Sequence, residues 1–158
     1  MAIRKIVEIG NPTLRKKSKL VTDFDKDLGI LFDDMFQTMT EDNGMGISAV
    51  QVGVLRRALI VQKEDGKFLE VVNPTILETK GKTCEKEGCL SVPGFFTEVE
   101  RPEYVKIEAF DRHGKKFIYE AKGYYARCVC HEIDHLNGVL FVDYTDAGQD
   151  YKKRKGVG

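Results

Sequence analysis

The sequence lacks several features that would assign it to a class of protein at once. Its 25 Lys and Arg residues are balanced by 25 Asp and Glu residues, so the formal net charge is zero. This balance disfavours a protein that binds nucleic acid over a broad basic surface. No apolar run approaches the length of a membrane-spanning helix, and charged residues interrupt the N-terminal MAIRKIVEIG, which argues against a signal peptide. We therefore expect a cytoplasmic protein with no membrane segment and no specific DNA target.

Internal repeats, low-complexity tracts and Ser/Gly-rich linkers are also missing from the sequence. A chain of 158 residues is long enough for one domain with a sizeable core, and we expect a single domain over residues 1–158. The one basic run, KKRK at residues 152–155, lies in a segment from about 148 to 158. This segment is expected to be a short, solvated and frayed tail.

The hydrophobic pattern predicts an α+β fold. Apolar residues recur at steps of three and four from Asp25 to Thr40, which predicts an N-terminal helix. Between Arg57 and Lys122, turn signals such as Asn73-Pro74 and Pro93-Gly94 separate β-type runs. Those runs are ALIVQ, FLEVVN, TILE, FTEVE, YVKIEAF and KFIYEA. A second helix is predicted over Gly123 to Leu136, so we expect mostly antiparallel sheets packed around this C-terminal helix.

Histidine is scarce, yet two of the three histidines stand four residues apart in CHEIDHLNG, residues 130–138. Residues at this spacing lie on one side of an α-helix, so His131 and His135 can hold one metal ion. Glu132 lies beside that face, where it can act as a general base on a water molecule. The alternative is a chance pair of core or surface histidines, and a third ligand is needed to exclude it.

Cysteine is the best candidate for the third ligand. Cys128 is three residues before His131 on the same helix, whereas Cys89 lies in EGCLS, near a turn. Spacing alone does not choose between them. Asp134 points away from the histidines and is expected to make a structural contact instead. Two His and one Cys with an open fourth position describe a catalytic metal site rather than a structural one.

Three segments in order resemble the bacterial peptide deformylase family. The family is marked by GxGxAAxQ, EGCLS and HExDH, and the sequence reads GMGISAVQ (44–51), EGCLS (87–91) and HEIDH (131–135). Ser48 stands where the first motif usually has alanine, and Cys130 where the family commonly has glutamine. The chain ends soon after FVDYT, so the C-terminal helix of many members is expected to be short or missing.

The resemblance implies a metal-dependent hydrolase that removes the N-formyl group from the first methionine of nascent polypeptides and releases formate. It implies Cys89 as the third metal ligand, beside His131 and His135. It also implies one divalent metal per chain, with Fe(II) as the native ion and Ni, Co or Zn as substitutes.

Further site residues follow from the same resemblance. Glu132 is expected to move the proton, while the Gln51 side chain and the Leu90 backbone N–H stabilise the oxyanion. The substrate-binding residues are expected to be Gly44, Met45, Gly46, Glu87, Tyr124 and Cys128. Among these, the glycine segment would pair with the substrate main chain. The methionine pocket would be lined by Met45, Tyr124 and Cys128. Glu87 would anchor the metal loop by a polar contact.

Two other functions remain open at this point. A metallopeptidase would use a downstream His or Glu as its third ligand, and no histidine follows His135. A metal-stabilised binding module would need the three ligands but no general base, so Glu132 separates it from an enzyme. The basic run at residues 152–155 is also a candidate for weak contact with the ribosome, because nascent chains are the expected substrate.

Overall fold

A central helix, α2 (Gly123–Leu136), carries HEIDH and packs against the main sheet. The computed structural model describes residues 2–158, so residue 1 of the predicted domain lies outside it. The other helices are α1 (Lys26–Glu41) and α3 (Asp146–Lys155). The strands are β1 (Gly46–Ser48), β2 (Ala58–Gln62), β3 (Phe68–Lys80), β4 (Thr83–Cys89), β5 (Val92–Arg101), β6 (Tyr104–Phe110) and β7 (Lys116–Lys122). Within residues 2–158, no helix is both long enough and apolar enough to cross a membrane.

The strands form two antiparallel sheets. Five of them are ordered β1-β2-β3-β6-β7, which leaves β1 at one edge, and β4 pairs with β5 in a separate hairpin. Alternate residues of β2 face opposite sides: Leu59 and Val61 join the core beneath α2, and Ala58 and Ile60 join the core beneath α1. Helices therefore cover both faces of this strand, which explains why its sequence is a continuous apolar run. The predicted α+β class is confirmed.

Both long helices begin and end close to their predicted positions. Asp25 caps α1, because its side chain accepts a hydrogen bond from the Leu28 N–H at 3.1 Å. The apolar stripe of α1 is fully buried at Phe32 and Met35, and burial of one such side chain contributes about 1.5–3 kcal/mol. The second helix covers Gly123–Leu136, as the sequence predicted.

Two predicted turns lie inside strands instead. At Asn73, FLEVVN and TILE join into the single strand β3, whose pairing with β6 shifts register there. Asn73 adopts a positive φ of 50°, and its side-chain amide bonds both the N–H and the carbonyl of Val21 at 2.9 Å. These two bonds hold a bulge where the sequence suggested a turn. Pro93-Gly94 lies within β5, because the chain reverses earlier, between Cys89 and Val92.

The C-terminal segment is helical where the sequence predicted a frayed tail. Thr145 caps α3 by accepting a hydrogen bond from the Gly148 N–H at 2.9 Å, and Gly156 follows the helix with a φ of 68°. Tyr151 is buried, and its ring packs on Phe95 with the centroids 4.4 Å apart. The sequence left open whether the C-terminal helix is short or missing, and the structure has a short helix whose Tyr151 ring packs on Phe95 of β5.

Asp143 joins the two ends of the chain. Its carboxylate accepts hydrogen bonds from Arg15 near the N-terminus, at 2.7 and 2.9 Å, and from Lys152 of α3 at 2.9 Å. Burial alone would raise the pKa of Asp143, but the bonds from Arg15 and Lys152 outweigh it and lower the pKa to about 2. The ion pairs therefore persist well below neutral pH.

Replacing Asp143 with Asn should lower the free energy of unfolding at pH 7 by about 1 kcal/mol. Because the folded pKa is below the unfolded value, this contribution is complete above about pH 4 and is lost as the pH falls toward 2. Urea unfolding from pH 7 to pH 2.5 measures the difference between wild type and Asp143→Asn. The control is Asp150→Asn, an exposed carboxylate on α3. A difference that stays constant across this range would contradict the assignment.

Candidate metal centre

Three side chains from two elements converge at the end of the β4–β5 hairpin. Cys89 ends β4, and His131 and His135 lie one turn apart on α2. Their ligand atoms all lie within 4.8 Å of one another, and Cys89 Sγ is 3.3 Å from His135 Nε2. Within residues 2–158 this cluster contains Cys89 and not Cys128. Burial raises the pKa of the Cys128 thiol to about 12, which disfavours the thiolate that a metal would need.

The donor set fits a catalytic transition-metal ion. One thiolate and two imidazoles supply three ligands and leave a fourth tetrahedral position for water or substrate. Burial lowers the pKa of His135 well below its usual value, which favours the neutral ring that metal binding needs. Burial also opposes protonation of His131, but Cys89 and Glu87 outweigh it and raise the pKa of His131 well above its usual value, so metal binding must displace a proton from that ring. His131 Nδ1 lies 2.8 Å from a carboxylate oxygen of Glu87. This contact makes Nδ1 the protonated nitrogen and leaves the Nε2 lone pair of His131 available.

Glu87 lies behind His131 rather than in the solvent. Its carboxylate is 5% exposed and accepts hydrogen bonds from Arg101 at 2.8 and 3.0 Å and from Arg127 at 2.6 Å. Burial alone would raise its pKa, but the bonds from His131 and Arg101 outweigh it and lower the pKa to about 2. Glu87 is therefore a charged anchor, which fits the polar contact predicted for it.

The two arginines extend this network into the surrounding backbone. Arg127, which is 1% exposed, donates to the Val99 carbonyl at 2.6 Å and to the Thr83 carbonyl at 3.0 Å. Arg101 also donates to Asp134 at 2.6 Å. Asp134 thus makes the structural contact that its position on the helix predicted. The network joins β4, β5 and α2 beside the candidate metal ligands.

Glu132 has a different environment. Its side chain is buried, and Ser48 donates a hydrogen bond to Oε1 at 2.8 Å. A Cβ atom on Gly46 would lie 2.8 Å from Oε2, so any side chain there would displace the carboxylate. Burial raises the pKa of Glu132, although His131 and the Ser48 hydrogen bond oppose the shift. A carboxyl group with a raised pKa is suited to taking up a proton near neutral pH.

Gln51 is held with its amide nitrogen toward the cysteine. The Ser48 N–H donates to Gln51 Oε1 at 2.9 Å, which assigns the opposite side of the amide as Nε2. Nε2 lies 3.2 Å from Ser91 Oγ and 3.6 Å from Cys89 Sγ. The Gln51 Nε2–H group therefore lies beside the candidate ligand Cys89, in a cavity that His131 also lines.

This cavity has a volume of about 570 Å³ and lies beside the candidate metal ligands. Among the predicted site residues, its wall contains Gly44, Met45, Gly46, Gln51, Cys89, Leu90, His131 and Glu132. Glu87, Tyr124, Cys128 and His135 are not part of that wall, although Cys128 lies one turn before His131 on α2. His135 is buried and reaches the centre through Cys89, whose Sγ is 3.3 Å from its Nε2.

Several residues of the centre were not found from the sequence. Arg101 and Arg127 belong to no motif, and Ser91 stands out in the sequence only as the last residue of EGCLS. Arg127 left one signal in the sequence, since it stands one helical turn before His131 on α2. Phe96 and Ile6 also line the cavity and carry no recognisable pattern.

Comparison with known proteins gives consistent matches. A family model described as polypeptide deformylase matches residues 3–150. A peptide deformylase of Caldicellulosiruptor bescii is 53% identical over 90% of this chain and 86% of its own length. Peptide deformylase 1 of Bacillus subtilis is 48% identical over 89% of both chains. The crystal structure of a peptide deformylase from Legionella pneumophila superposes with a TM-score of 0.92 at 41% identity, covering 98% of this chain and 93% of the other.

Replacing Glu87 with Gln should weaken metal binding, because the amide no longer fixes the His131 ring with a charged acceptor. Loss of such a partner typically lowers metal affinity about 10- to 100-fold. Competition between the protein and a chelator for Co(II) measures the affinity, and thermal unfolding of the apo-protein reports stability separately. Glu85→Gln, an exposed position on the same strand, is the matched control. Equal Co(II) affinity in wild type and Glu87→Gln would rule out this role.

Proposed function

This chain belongs to the polypeptide deformylase family, and we propose which of its residues carry out the family's reaction. The protein is a metal-dependent hydrolase that removes the N-formyl group from the N-terminal methionine of nascent polypeptides and releases formate. One observation carries the assignment of residues. The ligand atoms of Cys89, His131 and His135 lie within 4.8 Å of one another, and Cys89 and His131 line the same cavity as Glu132.

We propose Cys89, His131 and His135 as the ligands of one divalent metal per chain. When bound, the metal acts as a Lewis acid and lowers the pKa of a water molecule toward neutrality. Fe(II) is the native ion in this proposal, with Ni, Co or Zn as substitutes. A soft thiolate with two imidazoles supports a first-row transition metal of this group.

Glu132 is the general base and acid. It takes a proton from the water that attacks the formyl carbon, and it gives a proton to the amine nitrogen as the C–N bond breaks. The products are formate and a free amine. Its buried position and its raised pKa support this use, because one group must both accept and release a proton.

The oxyanion that develops on the formyl group needs hydrogen-bond donors. We assign these to Gln51 Nε2 and to the backbone N–H of Leu90, which follows the ligand Cys89 in the chain. The fixed orientation of the Gln51 amide supports its part, since a preorganised donor need not reorient during the reaction. Both residues line the cavity.

The substrate main chain is proposed to pair with the segment Gly44, Met45 and Gly46. Support comes from the sheet order, which leaves β1 at the edge with one side unpaired by the other strands of residues 2–158. An extended peptide can add to such an edge. We propose that the methionine pocket is lined by Met45, Tyr124 and Cys128. Tyr124 and Cys128 lie four residues apart on α2, N-terminal to His131.

Replacing Gln51 with Ala should lower kcat for formate release by about 10²- to 10³-fold, the usual loss for one oxyanion donor. Metal content should stay at the wild-type value, because Gln51 is not a proposed ligand. Formate release from formyl-Met-Ala-Ser and metal analysis of the same samples measure both quantities. Loss of metal together with activity would make Gln51 a structural residue.

The iron-loaded enzyme should lose activity in air faster than the nickel-loaded enzyme. Both Fe(II) and the Cys89 thiolate are open to oxidation, and Cys89 lines the cavity instead of being fully buried. Activity followed over time in air and under argon, for both metals, measures the difference. Equal decay of the two forms would count against iron as the sensitive native ion.

The remaining proposals concern the extent of the domain, its location in the cell and its association with the ribosome. We propose one catalytic domain over residues 1–158, a cytoplasmic location, and weak association with the ribosome through the last turn of α3. Lys153, Arg154 and Lys155 are exposed there, whereas Lys152 is paired with Asp143. Three exposed cations on one helical turn support contact with ribosomal RNA phosphates.

Reversing these charges tests the ribosome proposal without disturbing the buried Tyr151. The triple variant Lys153→Glu, Arg154→Glu, Lys155→Glu should lose co-sedimentation with ribosomes at low salt and keep its activity on short formyl peptides. The control triple variant carries Lys67→Glu, Lys82→Glu and Lys115→Glu, three exposed positions elsewhere. Equal sedimentation of the two variants would dispose of a specific role for α3.

A further inference from the structure

Ser48 occupies an unusual position between the edge strand and the catalytic helix. It is the last residue of β1 and is fully buried. Its Oγ lies 2.8 Å from Oε1 of Glu132 and 3.1 Å from the backbone carbonyl oxygen of the same residue. A hydroxyl has one proton to donate, and a charged carboxylate is the stronger acceptor. The proton of Ser48 is therefore directed at Oε1 when Glu132 is ionised.

The two oxygens of Glu132 have unequal surroundings. Oε1 accepts from Ser48, and within residues 2–158 no other group donates to this carboxylate. Oε2 lies against Gly46, which has no side chain and lines the cavity. Because Ser48 occupies Oε1, and Gly46 beside Oε2 has no side chain, Oε2 is the oxygen that a reacting water can approach.

We propose that Ser48 is a positioning residue for Glu132: its hydroxyl holds Oε1 and thereby presents Oε2 to the substrate. The inference rests on the proposed part of Glu132 as the general base. It is specific to the side chain, because the hydroxyl contacts the carboxylate and the carbonyl of Glu132, whereas the bond from the Ser48 backbone N–H to Gln51 would survive any substitution that keeps the backbone in place.

Ser48→Ala removes the contacts of Oγ with Glu132 and keeps the backbone bond to Gln51, since it deletes one heavy atom and leaves the backbone N–H. Without its donor the carboxylate can rotate, so kcat for formyl-Met-Ala-Ser should fall by about tenfold. KM and metal content should stay close to wild type, because neither the substrate-pairing edge nor a ligand is changed. Thermal unfolding is measured alongside, because a buried carboxylate without its donor lowers stability. The control is Ser18→Ala, which removes another buried hydroxyl with no partner in residues 2–158; its kcat should equal that of wild type.

A double-mutant cycle with Glu132→Ala shows whether Ser48 acts through the carboxylate. In the Glu132→Ala background, measured in single turnover, Ser48→Ala should cause no further loss. The proposal is overturned if Ser48→Ala matches wild type, if its loss comes with loss of metal, or if it causes the same loss without Glu132. Full activity of Glu132→Ala itself would instead overturn the general-base assignment, and this inference with it.

Discussion

The buried carboxylate of Glu87 is the interaction on which the geometry of the centre depends. It meets Arg101 of β5, Arg127 of α2 and the proposed ligand His131 within 2.6–3.0 Å. A buried charge that loses one partner is strongly destabilising, by about 3–5 kcal/mol, so the three elements must assemble together. Asp134 supplies a second carboxylate to Arg101, and the four charged groups balance. The β4–β5 hairpin is thereby held against α2, with Cys89 facing the two histidines.

Two buried glutamates near one helix are used in opposite ways. Glu87 meets two arginines, its pKa falls to about 2, and it stays charged. Glu132 receives one hydrogen bond from a neutral hydroxyl, and burial raises its pKa. The surroundings therefore separate a permanent anion that orients a ligand from a carboxyl group that can exchange a proton. Residue type alone does not distinguish these uses.

The hydrophobic pattern and the turn residues predicted those helices and strands whose ends are set by residues close in sequence. The bounds of α2 and of β6 follow from hydrophobic periodicity and from flanking glycine and turn residues. Contacts distant in sequence decided the rest. Asn73 bonds Val21 and becomes a bulge, and Tyr151 packs on Phe95 and stabilises a helix where composition suggested a frayed tail. Spacing likewise left Cys89 and Cys128 as equal candidates, because the choice depends on how the β4–β5 hairpin docks on α2.

The most direct test compares wild type with Glu132→Ala, both purified without oxygen, for formate release from formyl-Met-Ala-Ser and for metal per chain. Wild type is expected to release formate, and the variant to keep one metal ion and release almost none. Formate release by the variant at the wild-type rate, with the metal in place, would show that the buried Glu132 carboxylate does not transfer the proton.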